Sequence, residues 1–380
     1  MVVDNFRVFV GDMVTGRITT DLPVSAMSWG MRLNDAGPLD ATVKVRSREV
    51  SRLEIRAATA PLKQFIGCSY GSTILEAGPI WKRTYDPKSE TLQIAGAGIW
   101  SILDAVKSLP WVALAGGVSP AAVSLDIVDK SLGSIARELV RISIQTNPDN
   151  PGLPLVLPDI IPSTNFRHYP GHQLSWVGDL LRNLTKVQRG PDIAFRPRFN
   201  GADATKVEWV MTHGTEANPL LTQAGPDWIW DGRVEKSGVV GFGATEDATG
   251  MAAKVYQPGA GNEAAMLLKS AQDKTLVNAG YPWTEKDAAS KDVLDLTILQ
   301  AGADEAMAAA KYPVENWSVS VRADSDPKLG SYSPGEWAQA IIPKDHPILV
   351  PGPFRTRMMA IDGDHTSTVK ISLAPIQGRA

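Results

Sequence analysis

The strongest constraint on the fold is a strand–turn–strand–helix pattern in residues 76–104, EAGPIWKRTYDPKSETLQIAGAGIWSILD. Alternation sends Trp81, Arg83 and Tyr85 to one face of a strand and Ile80 and Lys82 to the other. DPKSE (86–90) has turn chemistry, with proline at a favoured position. TLQIA (91–95) then pairs back, carrying Leu92 and Ile94 on one face. Gly96 and Gly98 break that strand. Ile99, Ile102, Leu103 and Val106 follow at helical spacing. The flanking sequence agrees. FRVFV (6–10), VSAMSWGMRL (24–33) and ATVKV (41–45) read as strands, the last two joined by the turn-rich NDAGPLD. Residues 1–116 are therefore expected to form a barrel-like sheet with one helix plugging an end.

The next hundred residues change character. Leu132, Ile135, Leu139 and Ile142 form a helical apolar stripe within LDIVDKSLGSIARELVRISIQT (125–146), with Asp129 or Ser131 as its cap. After a Pro- and Asn-rich stretch, Leu174, Val177, Leu181 and Leu184 mark a second amphipathic helix, ended by Gly190 and Pro191. DIAFRPRF (192–199) and KVEWVMT (206–212) are expected to form a hairpin. This predicts a helix–helix–hairpin α+β domain over 117–216. Residues 217–325 read as a second β-rich domain with a helical insertion, the helix lying in DVLDLTILQAGADEAMAAAK (292–311). ENWSVSVRAD (315–324) is patterned as a strand through Trp317, Val319 and Val321. Residues 326–380 form a last β unit. The fold class expected is α+β, mainly β.

With 43% hydrophobic and 21% charged residues in 380, the composition is that of a folded soluble chain. No run of 18 apolar residues is present, so no membrane-spanning helix and no stable membrane insertion are expected. The N-terminal MVVDNFRVFVGD reads as a strand and not as a signal peptide. The single cysteine, Cys68, excludes an internal disulfide framework. A net charge of −3 argues against a nucleic-acid grip, which needs clustered Lys and Arg.

Motifs that carry chemistry are incomplete. His168 and His172 are four apart, but Pro170 and Gly171 intervene and no ligand completes a metal site. IDGDHTST (361–368) lacks the later acidic ligands of a calcium loop and reads as a hairpin turn. GVVGFG (238–243) lacks the order of a dinucleotide motif. AGAGIW (95–100) opens a helix without a basic neighbour, so a strand-to-helix turn explains it better than an anion site. Carboxylates such as Glu76 and Asp86 are available for acid–base work, but availability does not make a pair. No nucleophile elbow occurs. The chain is therefore read as a non-enzyme, with no catalytic residue, no metal and no cofactor.

The segment ILEAGPIWKRTYDPKSETLQIAGAGIWSILD (74–104) resembles the minor tail proteins of siphophages infecting actinobacteria. The chain order resembles the tail-tip or baseplate hub proteins of tailed phages, which have two β-barrel-like domains, an inserted α+β domain and a terminal unit. The resemblance implies a structural virion protein at the tail tip, assembled in the host cytoplasm. It implies a homotrimeric ring joining a sixfold tail to a threefold tip. The ring would contact the distal tail protein ring, the tape measure protein and other minor tail proteins, and pass DNA through its lumen without specific binding. The interface residues it points to are Trp81, Arg83, Tyr85 and Trp100, because buried Trp, Tyr and Arg carry most of the free energy of interfaces. Trp81 and Trp100 are equally suited to a core, so Arg83 and Tyr85 are the stronger pair. Two competing functions are a receptor- or carbohydrate-binding tail protein, with tryptophans stacking on sugars, and a tail-borne cell-wall hydrolase.

Overall fold

The segments read as strands at 6–10, 24–33, 41–45 and in the 76–95 hairpin form strands, and two that the pattern did not mark, at Ile18–Asp21 and Gln64–Tyr70, join them. The N-terminal ones are β1 (Phe6–Asp12), β2 (Ile18–Asp21), β3 (Ala26–Arg32), β4 (Pro38–Lys44), β5 (Gln64–Tyr70), β6 (Thr73–Asp86) and β7 (Thr91–Ala97). In a computed structural model, residues 5–114, 117–261, 265–288 and 293–375 are described. The boundary expected at residue 116 and parts of the loose segment 259–290 lie outside them. The chain divides into two compact units, residues 1–242 with 318–380 and residues 243–317.

In the larger unit, β1 pairs with β2 and β5, and antiparallel pairing continues through β5–β6, β6–β7, β7–β4 and β4–β3. Between these and the C-terminal strands run β8 (Ser124–Lys130), β9 (Leu155–Val156), β10 (Asn165–Pro170), β11 (Ile193–Phe199), β12 (Val207–His213) and β13 (Trp228–Asp231). Next come β14 (Val239–Asp247), β15 (Lys254–Pro258), β16 (Leu268–Gln272), β17 (Glu285–Asp287) and β18 (Val314–Arg322). The last three are β19 (Trp337–Ile342), β20 (Gly352–Asp364) and β21 (Thr368–Pro375). The sheet does not stop at β3. β20 pairs antiparallel with β3, Ile361 opposite Met31, and carries β19 and β21 with it. First and last segments of the chain thus share one sheet.

Two local readings change. LDIVDK is strand β8, paired antiparallel with β10, before the helix Leu132–Val140 begins. Ser131 is the cap, accepting the Ser134 amide at 3.2 Å, while Asp129 takes a positive φ. The second helix is Val177–Lys186, because Leu174 adopts a left-handed conformation and is exposed. Both helices bury their stripes with β11 and β12 in one core. That core is continuous with the first sheet. Trp209 of β12 meets Phe65 edge-on at 5.5 Å and donates its indole N–H to the Ala77 carbonyl at 2.8 Å.

In the smaller unit, β15 pairs antiparallel with β16 and in parallel with β17. The helix Leu296–Ala310 is capped by Asp295, which accepts the Thr297 amide at 2.7 Å. It buries Leu299, Ala303, Met307 and Ala310. The helix lies within the segment 292–311 where one was expected, and its one-sided buried stripe follows the helical period.

Candidate assembly surface and the polar frame behind it

The β6–β7 hairpin has two halves of opposite character. Ile74 to Ile80 are buried, whereas residues from Trp81 to the turn face outward. The transition lies at a β-bulge. The register slips between Ile80 and Lys82, so Ile80 opposes Gly96, Arg83 opposes Ile94 and Tyr85 opposes Leu92. Arg83 and Tyr85 therefore share a face with Ile80, and Lys82 lies on the other. Simple alternation from the sequence assigned Ile80 and Lys82 to one face, because an extra residue in a strand leaves no mark in its composition.

Of the residues singled out in sequence, three are on the outer half. Trp81 is 37% exposed and its indole N–H donates to Ser101 Oγ at 2.8 Å. Ser101 in turn donates to the Gly98 carbonyl at 2.8 Å. This pins an aromatic ring at the surface in one orientation. Arg83 reaches back to the Arg56 carbonyl at 2.5 Å and to Thr59 Oγ1 at 3.2 Å, so its guanidinium braces the helix Ile55–Ala58. Tyr85 is 50% exposed. Trp100 is not with them. It is 2% exposed, meets Phe195 edge-on at 5.7 Å, and packs in the core beneath the hairpin. Its placement follows from the short helix Trp100–Leu103, whose buried side carries Trp100 and Leu103.

The buried half holds a carboxylic acid. Glu76 lies in a socket made by glycines. A Cβ on Gly37 would fall 2.5 Å from one of its oxygens, and a Cβ on Gly98 would fall 3.1 Å from the other. Of the glycines in AGAGIW, Gly98 makes room for the Glu76 carboxyl, whereas a Cβ on Gly96 would meet Ile66 and the Pro79 carbonyl. Burial pushes the Glu76 carboxyl up to about 8, although Arg196, the Ala77 amide and Arg32 each pull it down. Arg196 donates to the Arg32 carbonyl at 3.4 Å and the Pro334 carbonyl at 3.2 Å, and burial lowers its pKa. Neither arginine forms an ion pair with Glu76 among the described residues.

Two further polar clamps tie the sheet to the α+β segment. Arg182 donates to Asp104 Oδ1 at 2.7 Å, Asp104 Oδ2 at 2.9 Å and Asp35 at 2.6 Å, with its guanidinium over the Trp100 ring. Asp192 accepts from Asn34 Nδ2 at 3.1 Å and from the Leu221 amide at 2.8 Å, and pairs with Arg357 of β20. Sequence reasoning missed this frame. The signal available was a charge inside an apolar run, Glu76 in ILEAGPI and Arg196 in IAFRPRF.

Glu76 and Asp86 lie ten residues apart along one extended strand, roughly 30 Å, far too distant to share a proton or a substrate. His168 lies on β10 and contacts Asp126 at 2.6 Å, while His172 falls in the following 3₁₀ turn. IDGDHTST forms the β20–β21 turn, where Asp364 accepts the Thr366 amide at 2.6 Å. GVVGFG runs into β14. Among the described residues no three His, Cys, Asp or Glu side chains converge as a metal site. No described helix is long and apolar enough to cross a membrane.

No family model matches the chain, and no curated protein matches it. Solved structures do. The chain is similar to a tail protein from Neisseria meningitidis MC58, with 13% identity and a TM-score of 0.53 over 98% of this chain and 97% of that one. It is similar also to the 43 kDa tail protein of prophage MuSo2 from Shewanella oneidensis, with 13% identity and a TM-score of 0.54 over 98% and 96%. At such identity the likeness is one of fold, and it extends over nearly the whole of each chain.

Proposed function

We propose that this chain is a structural subunit of a bacteriophage tail tip, a baseplate hub of the type found in siphophages of actinobacteria. The observation that carries the reading is the end-to-end sharing of a fold with a tail protein and with a prophage tail protein. A likeness covering one barrel alone would fit many functions; one covering 98% of the chain fits a whole building block. In this reading three copies close a ring that joins the sixfold tail to the threefold tip. The ring meets the distal tail protein, the tape measure protein and other tip proteins, and its lumen passes DNA without holding it. The net charge of −3 suits that last role, since phosphates find no basic lining to retain them.

The geometry adds a physical reason. Assembly needs modules that do not deform, with a few aromatic anchors fixed in advance. The clamps of Arg182 on Asp104 and Asp35 and of Asp192 on Arg357 tie the strands to the α+β segment, and the hydrogen-bonded Trp81 and exposed Tyr85 stand on the outer hairpin. Reconstruction of intact virions tests the function directly. Density for this chain as an axial threefold ring at the distal end of the tail is expected; a single off-axis copy, or a place in the capsid, overturns it.

The anchors have their own test. Trp81→Ala combined with Tyr85→Ala is expected to leave the unfolding transition within about 2 kcal/mol of the parent, as half-exposed sites do. Incorporation into tails should nevertheless fall at least about tenfold, the consequence of losing two anchors at an interface. Normal incorporation of a folded double variant would remove the hairpin from the interface.

A further inference from the structure

One edge in the larger unit is left open. β13 pairs with β19 alone among the described residues, in parallel, Trp228 opposite Ala338 and Asp231 opposite Ile341. The Gly232 amide donates to the Ile341 carbonyl at 3.0 Å. Strand alternation therefore turns the Trp228 and Trp230 backbone groups toward β19, and the N–H and C=O groups of Ile229 and Asp231 away from it. Edges of this kind are usually blunted by lysine, proline or a covering segment. β13 reads WIWD, with none of the first two, and its Ile229 is 56% exposed.

A cavity of about 350 Å³ lies at this strand, lined among others by Gln223, Pro226, Asp227, Ile229 and Asp326. Its wall is fixed. Gln223 donates to the Trp337 carbonyl at 2.9 Å and accepts the Trp337 amide at 2.8 Å. Of its two carboxylates, Asp227 is held by Arg355 at 2.6 and 3.1 Å. Asp326 is exposed and has no hydrogen bond or ion pair to another described residue. Among the described residues no cation lines the cavity.

We propose that β13 and this cavity receive an extended, basic segment of a partner protein, which adds a strand to the open edge and sets a lysine or arginine against Asp326. The backbone groups of Ile229 and Asp231 supply the ladder bonds, Ile229 offers an apolar contact to alternate side chains, and the unpaired carboxylate selects the charge. The surface is separate from the β6–β7 hairpin and does not depend on the function proposed above.

The probe is a short capped peptide alternating valine and lysine, with its valine–glutamate counterpart, added to the full-length chain while amide hydrogen exchange is followed. The lysine peptide is expected to slow exchange at Ile229 and Asp231 about tenfold or more near millimolar concentration, and the glutamate peptide to leave it unchanged. Asp326→Asn should weaken the lysine peptide about tenfold, and added salt should do the same. Ile229→Pro, which removes a donor, should abolish protection at Asp231 in a variant whose other amides exchange as in the parent. Equal protection by both peptides, an unchanged affinity in Asp326→Asn, or protection by neither peptide overturns the proposal.

Discussion

Replacing Glu76 with glutamine is expected to abolish most of the loss of stability that the parent protein suffers between mildly acidic and mildly alkaline pH. The carboxyl is 4% exposed as a residue and its pKa stands at about 8, against an ordinary value of 4.5. A raised acid pKa means that the folded state keeps a proton which the unfolded chain releases. Below about 4.5 both states are protonated and the contribution is intact. As pH rises from there toward 8, the unfolded state is favoured progressively, and above 8 the loss levels off because the folded state ionises too. The full span is on the order of 5 kcal/mol, from the difference between the two pKa values. Glutamine keeps the shape and can still accept the Ala77 amide bond, which is 3.1 Å long in the parent. Chemical denaturation at several pH values should therefore give matching stabilities near the acidic end and a clear advantage for Glu76→Gln at the alkaline end. Parallel profiles for the two proteins would show that Glu76 is ionised and fully paired by Arg196, contrary to the geometry.

The second large effect concerns Asp192. Asp192→Ala is expected to cost about 3–5 kcal/mol, the range seen when one member of a buried ion pair is removed. The reason is what stays behind. Arg357, with 12% of its side chain exposed, would keep its bonds to the Gly335 and Leu221 carbonyls at 2.9 and 3.3 Å but lose its counter-charge. The Leu221 amide and Asn34 would lose an acceptor as well. Because Arg357 sits on β20 and Asp192 just before β11, local opening should appear in the amides of β20 and of the α+β segment together. Adding Arg357→Met to Asp192→Ala should recover part of the loss, since the unpaired charge goes with it. A double variant no more stable than Asp192→Ala alone would mean that the cost is one of packing and not of charge.

Neither residue received a structural role from the sequence. Glu76 falls in the same run as the conspicuous Trp81, and a single acid among apolar neighbours is equally compatible with a surface position. Only the approach of Gly37 and Gly98 from other parts of the chain encloses it. The outer hairpin was more legible, because Leu92, Ile94 and the turn at 86–90 follow from alternation and turn chemistry that act within a few residues. The bulge at Trp81 was not legible, since it depends on how β7 registers against β6. Trp100 illustrates the same limit. A tryptophan after AGAGI is a core residue or an interface residue with identical local sequence, and its burial against Phe195 and Arg182, far along the chain, makes it core.

By itself, then, the chain's periodicity located the hairpin at 76–95, the strands at 6–10, 24–33 and 41–45 and the apolar stripes of the main helices, because side-chain spacing and turn stereochemistry operate between neighbours. The tertiary structure decided that β20 continues the sheet at β3, that Glu76 is enclosed as an acid, and that Asp192 meets Arg357. Those outcomes come from backbone edges and charges separated by up to several hundred residues, whose pairing is selected by the burial of the whole core and leaves no period in the sequence.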